Sequence, residues 1–196
     1  MNIKRLLFLA PVLVSIVSYF SCGTGGSSDA GVSVVISATV SNYSQIDLIN
    51  KIDNDENGIC ETYTIPTDDF IEVNFKSTIP ENVKIQPSDV ITDKCELTYR
   101  PKTKNVPVLH ETVNCSCLIP AGQTTTCSFS IFKSFNKCAI YNSDNDDSYD
   151  VDLVIHGKEV IYDRDITISV GTTVEVRDFQ KEGEPNCTFS APLSCD

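Results

Sequence analysis

Period-two alternation of apolar and polar residues constrains this chain most. Ile166, Ile168, Val170, Val174 and Val176 share one face of residues 166–179, and Val32, Val34, Ile36, Ala38 and Val40 do the same in residues 32–40. Residues 69–79 put Ile71, Val73, Phe75 and Ile79 on one side and Glu72, Asn74, Lys76 and Thr78 on the other. Shorter runs repeat the pattern: Cys95, Leu97 and Tyr99 in 95–100, Val113, Cys115 and Cys117 in 108–118, Cys127, Phe129 and Ile131 in 125–132, and residues 151–156. β-Branched residues at period two form half-buried strands, and such strands must pair and cover their apolar faces. About seven of them, separated by turn-rich segments, predict an all-β protein, an antiparallel β-sandwich over residues 31–179. Residues 53–58 and 142–150 read as acidic loops, 119–124 as a turn, and the stretch around Gly157 as the last connection. Gly171 is the candidate bulge or bend. No amphipathic helix is expected, and residues 180–196 read as an irregular tail.

The first 28 residues have a different character. Lys4 and Arg5 precede an apolar run, residues 6–17, which ends near Ser21-Cys22 and the sequence Gly-Thr-Gly-Gly-Ser-Ser. A membrane span takes ~20 apolar residues; residues 6–20 supply fifteen, broken by Pro11. An export signal fits better. The segment resembles the signal of bacterial lipoproteins, in which the cysteine is acylated and becomes the new N-terminus. The resemblance implies a signal peptide over residues 1–21, lipidation of Cys22, a flexible tether over 22–30 and membrane attachment through the N-terminal lipid. Location in the bacterial cell envelope follows, and Gly23 after the cysteine resembles the outer-membrane sorting pattern of Gram-negative lipoproteins. Tyr19 and Phe20 depart from the family's Leu-like and small residues, and the small residues Ser21 and Gly23 leave ordinary cleavage after Gly23 as the competitor.

Cysteine parity agrees with export. With Cys22 set aside, Cys60, Cys95, Cys115, Cys117, Cys127, Cys138, Cys187 and Cys195 remain. An even set in an exported chain predicts up to four disulfides. Cys117 and Cys127 flank the turn at Gly122 and suit a bridge, with Cys115 as the alternative partner. Cys187 and Cys195 would close a short tail loop. The spacing of Cys115, Cys117, Cys127 and Cys138 matches no common zinc site.

The phrase Leu-Ile-Pro-Ala-Gly-Gln-Thr-Thr-Thr-Cys-Ser-Phe-Ser-Ile, residues 118–131, resembles the strand–turn–strand phrase of bacterial immunoglobulin-like and fibronectin-type modules. Residues 156–179, with His156-Gly-Lys-Glu, Ile166-Thr-Ile and Thr173-Val-Glu-Val-Arg-Asp-Phe179, look like the closing hairpin of similar domains in uncharacterised bacterial lipoproteins. The resemblance implies an immunoglobulin-like sandwich and brings no catalytic set, because such modules host many functions.

Charge and motifs narrow the function classes. The chain carries a formal net charge of −12, and the leader holds two basic and no acidic residues, so residues 22–196 carry −14. That balance excludes nucleic acid as a partner and favours cations. Gly-x-Ser-x-Gly, His-Glu-x-x-His and phosphate-binding glycine loops are absent from the sequence. His110 and His156 read as surface residues. The expectation is a non-enzymatic structural or binding module of the envelope, serving adhesion or assembly, with an unknown protein or glycan partner. A carbohydrate-active hydrolase or sugar-binding module using loop carboxylates is the alternative.

One loop carries ligand chemistry. In Asp53-Asn-Asp-Glu-Asn-Gly-Ile-Cys-Glu61, Asp53, Asp55 and Asn57 occupy relative positions 1, 3 and 5, and Gly58 occupies position 6. Ile59 offers a carbonyl at 7 and Glu61 a carboxylate at 9. The opening half looks like an EF-hand-type calcium loop, and alternating oxygen ligands suit a hard cation. Thr64 stands where the bidentate Glu would be, and residues 62–66 read as strand. The competing reading is an Asx-rich turn held by side-chain-to-backbone hydrogen bonds.

Overall fold

A computed structural model describes residues 25–26, 33–41, 45–67, 69–81, 84–103, 108–144, 146–179 and 182–194. Its strands are β1 (Gly25–Gly26), β2 (Val35–Val40), β3 (Gln45–Asp47), β4 (Asn50–Ile52), β5 (Thr62–Thr64), β6 (Phe70–Thr78), β7 (Val90–Pro101), β8 (Leu109–Ile119), β9 (Thr124–Ser130), β10 (Asp147–Glu159) and β11 (Asp165–Arg177), with a helix α1 (Ser134–Asn142) between β9 and β10. The signal peptide, Cys22 and Cys195 lie outside the described residues.

The alternating segments pair as their periodicity requires. One sheet has the order β1-β2-β6-β9, the other β3-β11-β10-β7-β8, and β4-β5 forms a separate hairpin. All pairings are antiparallel except β11 with β3. β2 lies against β11 on one side of the sandwich, and β8 lies beside β9 on the other. Between the sheets Ile36, Phe75, Leu97, Val151, Leu153, Ile168 and Val174 are buried. Complete burial of such side chains contributes ~1.5–3 kcal/mol each.

Several boundaries differ from the sequence expectation, each for an identifiable reason. The strand near residue 151 begins at Asp147 and runs through Gly157, so the last hairpin turns at residues 160–164 and the acidic loop is shorter. Gly171 sits in unbroken register opposite Asp152; the irregularities fall at His156/Gly157 and at Thr92/Lys94. Gly157 is glycine because a Cβ there would stand 2.5 Å from the Ile91 carbonyl oxygen. The fifth strand stops at Ser130, since Phe132 turns to φ +54° and lays its ring 4.0 Å from that of Tyr99. Gly25 and Gly26, expected in the tether, pair with Ala38 and Ser37.

Helix α1 is the largest departure. Its buried residues are Asn136, Lys137, Cys138 and Ile140, so half of its inward face is polar and carries no apolar period. Two side chains from distant strands hold it. Buried Lys137 pairs with Asp69 and donates to the Pro66 carbonyl at 2.5 Å. Buried Glu111 accepts from the Lys133 backbone N–H at 2.7 Å and from Asn136 Nδ2 on Oε1, and from Tyr99 Oη at 2.9 Å on Oε2. No side chain within the segment caps the helix; Glu111, on β8, satisfies its entry.

Candidate functional site

The acidic loop sits at the end of the sandwich where β11 finishes and α1 begins. The β4-β5 hairpin presents it, and the C-terminal tail clamps it. Cys60 N–H donates to the Thr188 carbonyl at 3.0 Å, and Thr188 N–H donates to the Gly58 carbonyl at 3.2 Å. This short parallel bridge brings Cys60 and Cys187 into a disulfide, with Cα atoms 5.2 Å apart. The expected Cys187–Cys195 tail loop is therefore corrected: backbone pairing of the tail with the hairpin loop, not chain proximity, selects the partner. Phe189 packs edge-on against Tyr63 and Tyr141, and the tail's Leu193 N–H and carbonyl both engage the Asn142 side chain at 2.8 Å.

The structure pairs Cys117 with Cys127 and Cys95 with Cys115. The first joins the two sheets across their edge, because β8 and β9 belong to different sheets. The second lies within the core between neighbouring strands β7 and β8, with both cysteines fully buried. Cys138 on α1 is disulfide-bonded as well.

Between loop and tail lies an open pocket of about 440 Å³, lined by Lys51, Asp53, Glu56, Gly58, Pro185 and Asn186 among others. Its floor is polar and firmly held. Lys51 Nζ pairs with Asp178 at 2.5 Å, and Lys51 N–H donates to Glu184 Oε1 at 2.6 Å. Burial alone would lower the Lys51 pKa; the hydrogen bond and charge of Asp178, helped by Tyr141 and Glu184, outweigh it and raise the ammonium above its ordinary value.

Each expected calcium ligand engages in a hydrogen bond inside or beside the loop. Asp53 Oδ2 accepts from Gly58 N–H at 2.9 Å, Asp55 Oδ1 from Asn57 N–H at 3.2 Å, and Asn57 Oδ1 from Ile59 N–H at 2.7 Å. Gly58 takes φ +83°, the left-handed turn that position six requires. Glu61 is turned onto the loop's shoulder, where its Oε2 accepts from Asn54 N–H at 3.1 Å and from Asn54 Nδ2. Asp53 Oδ1 is buried with no hydrogen-bond partner. Desolvation would raise the Asp53 pKa, but the Gly58 N–H, the Asp55 side chain and the Asn57 and Glu56 N–H groups hold it below the usual value. Among the described residues no three His, Cys, Asp or Glu side chains converge as a metal centre. The loop thus has the hydrogen-bonded form of an Asx-rich turn, with one carboxylate oxygen left over.

The two histidines lie on outer faces. His110 Nδ1 is 3.1 Å from Thr98 Oγ1, and His156 Nε2 is 3.5 Å from Glu96. What the sequence did not reveal is the buried polar pair Glu111 and Lys137, or the part the tail plays in building the pocket. The one available signal was Glu111 itself, an acidic residue in phase with Val113, Cys115 and Cys117. The sequence matches no known family model and no curated protein.

Proposed function

We propose that the chain is an exported module of the bacterial envelope, tethered through Cys22, that binds a protein or glycan partner without transforming it. The observation that supports export is the oxidation state: every cysteine among the described residues is disulfide-bonded. Such bonds persist in oxidising compartments and are rare in the cytosol. The binding role draws on a rigid sandwich that carries a disulfide-clamped loop, pocket and tail at one end, the usual arrangement of a binding surface on a scaffold. The test is phase partitioning in detergent with a Cys22→Ala variant. The wild type should enter the detergent phase and the variant should remain soluble; a wild type that is soluble and carries no lipid by mass spectrometry contradicts the anchor.

The Asp53 Oδ1 atom favours a second reading, a weak calcium site at residues 53–61. Asp53, Asp55, Asn57 and the Ile59 carbonyl would hold the ion, with Glu61 binding through water. With position 12 lost to Thr64, the affinity belongs in the ~10⁻⁴–10⁻³ M range of extracellular modules. Calcium should raise the melting temperature of the wild type and leave Asp53→Ala/Asp55→Ala unchanged. An identical response in both proteins, or none at ~10 mM, contradicts it.

A further inference from the structure

Exposed apolar side chains gather at the end of the sandwich opposite the loop and tail. Ile91 on β7 and Leu118 on β8 stand in register as a cross-strand pair, and Val160 and Ile161 top the β10–β11 hairpin. These four are 47–54% exposed, and Ile79 and Ile85 flank them in the neighbouring connection. The same end receives the chain from its N-terminal segment. Ser33 N–H and Ser33 Oγ donate to buried Glu159 Oε1 at 2.5 and 2.6 Å, and Ser88 N–H donates to Ser33 Oγ at 2.9 Å. Val160 N–H donates to the Asp89 carbonyl at 2.9 Å and Ile161 N–H to Ser88 Oγ at 3.0 Å. One buried knot therefore fixes both the entry of the chain and the apolar turn.

The geometry points to this end as the face that rests on the lipid bilayer, with its apolar side chains in the interfacial region. The inference rests on the Cys22 anchor proposed above. Cys22 precedes Gly25 by three residues, which reach at most ~11 Å. Gly25 pairs with Ala38, itself three residues, or ~10 Å, along β2 from Val35 and the entry end. The 13 residues of β10 span ~43 Å. A leash so much shorter than the sandwich keeps this end within reach of the headgroups. The surrounding charge is balanced: Lys158 pairs with Asp163 at 3.0 Å and lies 3.7 Å from Asp165. The contact is thus apolar, and it suits a zwitterionic surface without a basic patch.

The sequence contains no tryptophan, so one introduced at the patch is the sole reporter. Full-length Ile161→Trp and Leu118→Trp proteins, matured in cells and reconstituted into zwitterionic vesicles, should float with the vesicles and show blue-shifted emission that brominated lipids quench. Ile59→Trp, at the opposite end and 52% exposed, should float and remain unquenched, and raised salt should change neither result. Substitution at exposed positions preserves the fold, checked by the melting temperature. Vesicle-bound protein whose Ile161→Trp and Leu118→Trp emission stays unquenched overturns the docking face while the anchor stands. Protein that neither floats nor carries lipid overturns both. A blue shift without vesicles, accompanied by a doubled mass, overturns the membrane assignment in favour of contact between two copies.

Discussion

Cys60 and Cys187, separated by 127 positions in the sequence, are joined by a disulfide that ties the acidic hairpin loop to the C-terminal tail. The pocket exists only because those two segments meet. A bridge that closes a loop of this length stabilises by up to about 5 kcal/mol in the chain-entropy model, against a typical 2–4 kcal/mol. Cys60→Ser/Cys187→Ser should therefore lower the denaturation midpoint by the equivalent of about 2–4 kcal/mol. Hydrogen exchange at Cys60 and Thr188, whose amides bond across the junction, should accelerate first. Unchanged protection there would show that the tail is held by other contacts.

Glu111 accepts three hydrogen bonds while buried between β8 and the start of α1. Glu111→Ala strands those donors, and each buried donor left without a partner costs ~1–3 kcal/mol. Urea unfolding should show a loss of at least about 3 kcal/mol, with helix content falling along with stability. Glu111→Gln keeps the acceptor on one atom and should lose less.

This network marks where sequence patterning stops. Strand faces were legible because Val, Ile and Phe recur at period two in residues 69–79 and 166–179, and burial follows them. The helix was not, because its inward face carries Asn136 and Lys137, and its entry is satisfied by a carboxylate 22 positions upstream in the chain. A helix supported by tertiary contacts leaves no local period to read. In the candidate site, the loop's turn at Gly58 was legible from its Asx spacing. The pocket was not, because its other wall comes from residues 183–186, and their approach depends on the long-range Thr188 bridge.

Gly157 gives a sharper test of the bulge. A Cβ at that position would meet the Ile91 carbonyl oxygen at 2.5 Å and Thr92 Cα at 3.0 Å, both backbone atoms. Gly157→Ala must push β7 away from β10, at about 1–3 kcal/mol for overpacking. Gly171→Ala meets nothing closer than 3.5 Å and should leave the melting temperature near that of the wild type. Equal effects from the two substitutions would contradict the assigned position of the bulge.

Alkali should unfold the protein through its buried phenols. Burial, then the charges of Asp147 and Asp146, pushes Tyr149 up to about 12 from its ordinary 10.0. Burial and then Glu111 raise Tyr99 further in the same direction, and Lys51 is raised by Asp178 despite its burial. Each group binds its proton more tightly in the folded state. Their stabilisation is complete below about pH 10 and is lost as pH climbs through the folded values, near 12 for Tyr149. Stability should be flat in these groups from neutral pH to about 10 and fall above it. Phenolate absorbance of the buried tyrosines should rise together with loss of the fold. Titration of all seven tyrosines near 10 in a still-folded protein would contradict this.

The central claim, an exported and lipid-anchored disulfide sandwich, is tested most directly by intact-mass spectrometry of the protein purified from its own cell envelope, with and without reduction and alkylation. The account predicts a mature chain that begins at Cys22, carries an acyl modification there and exposes no free thiol until it is reduced. A chain that still begins at Met1, bears no lipid and alkylates at its cysteines without reduction would contradict it.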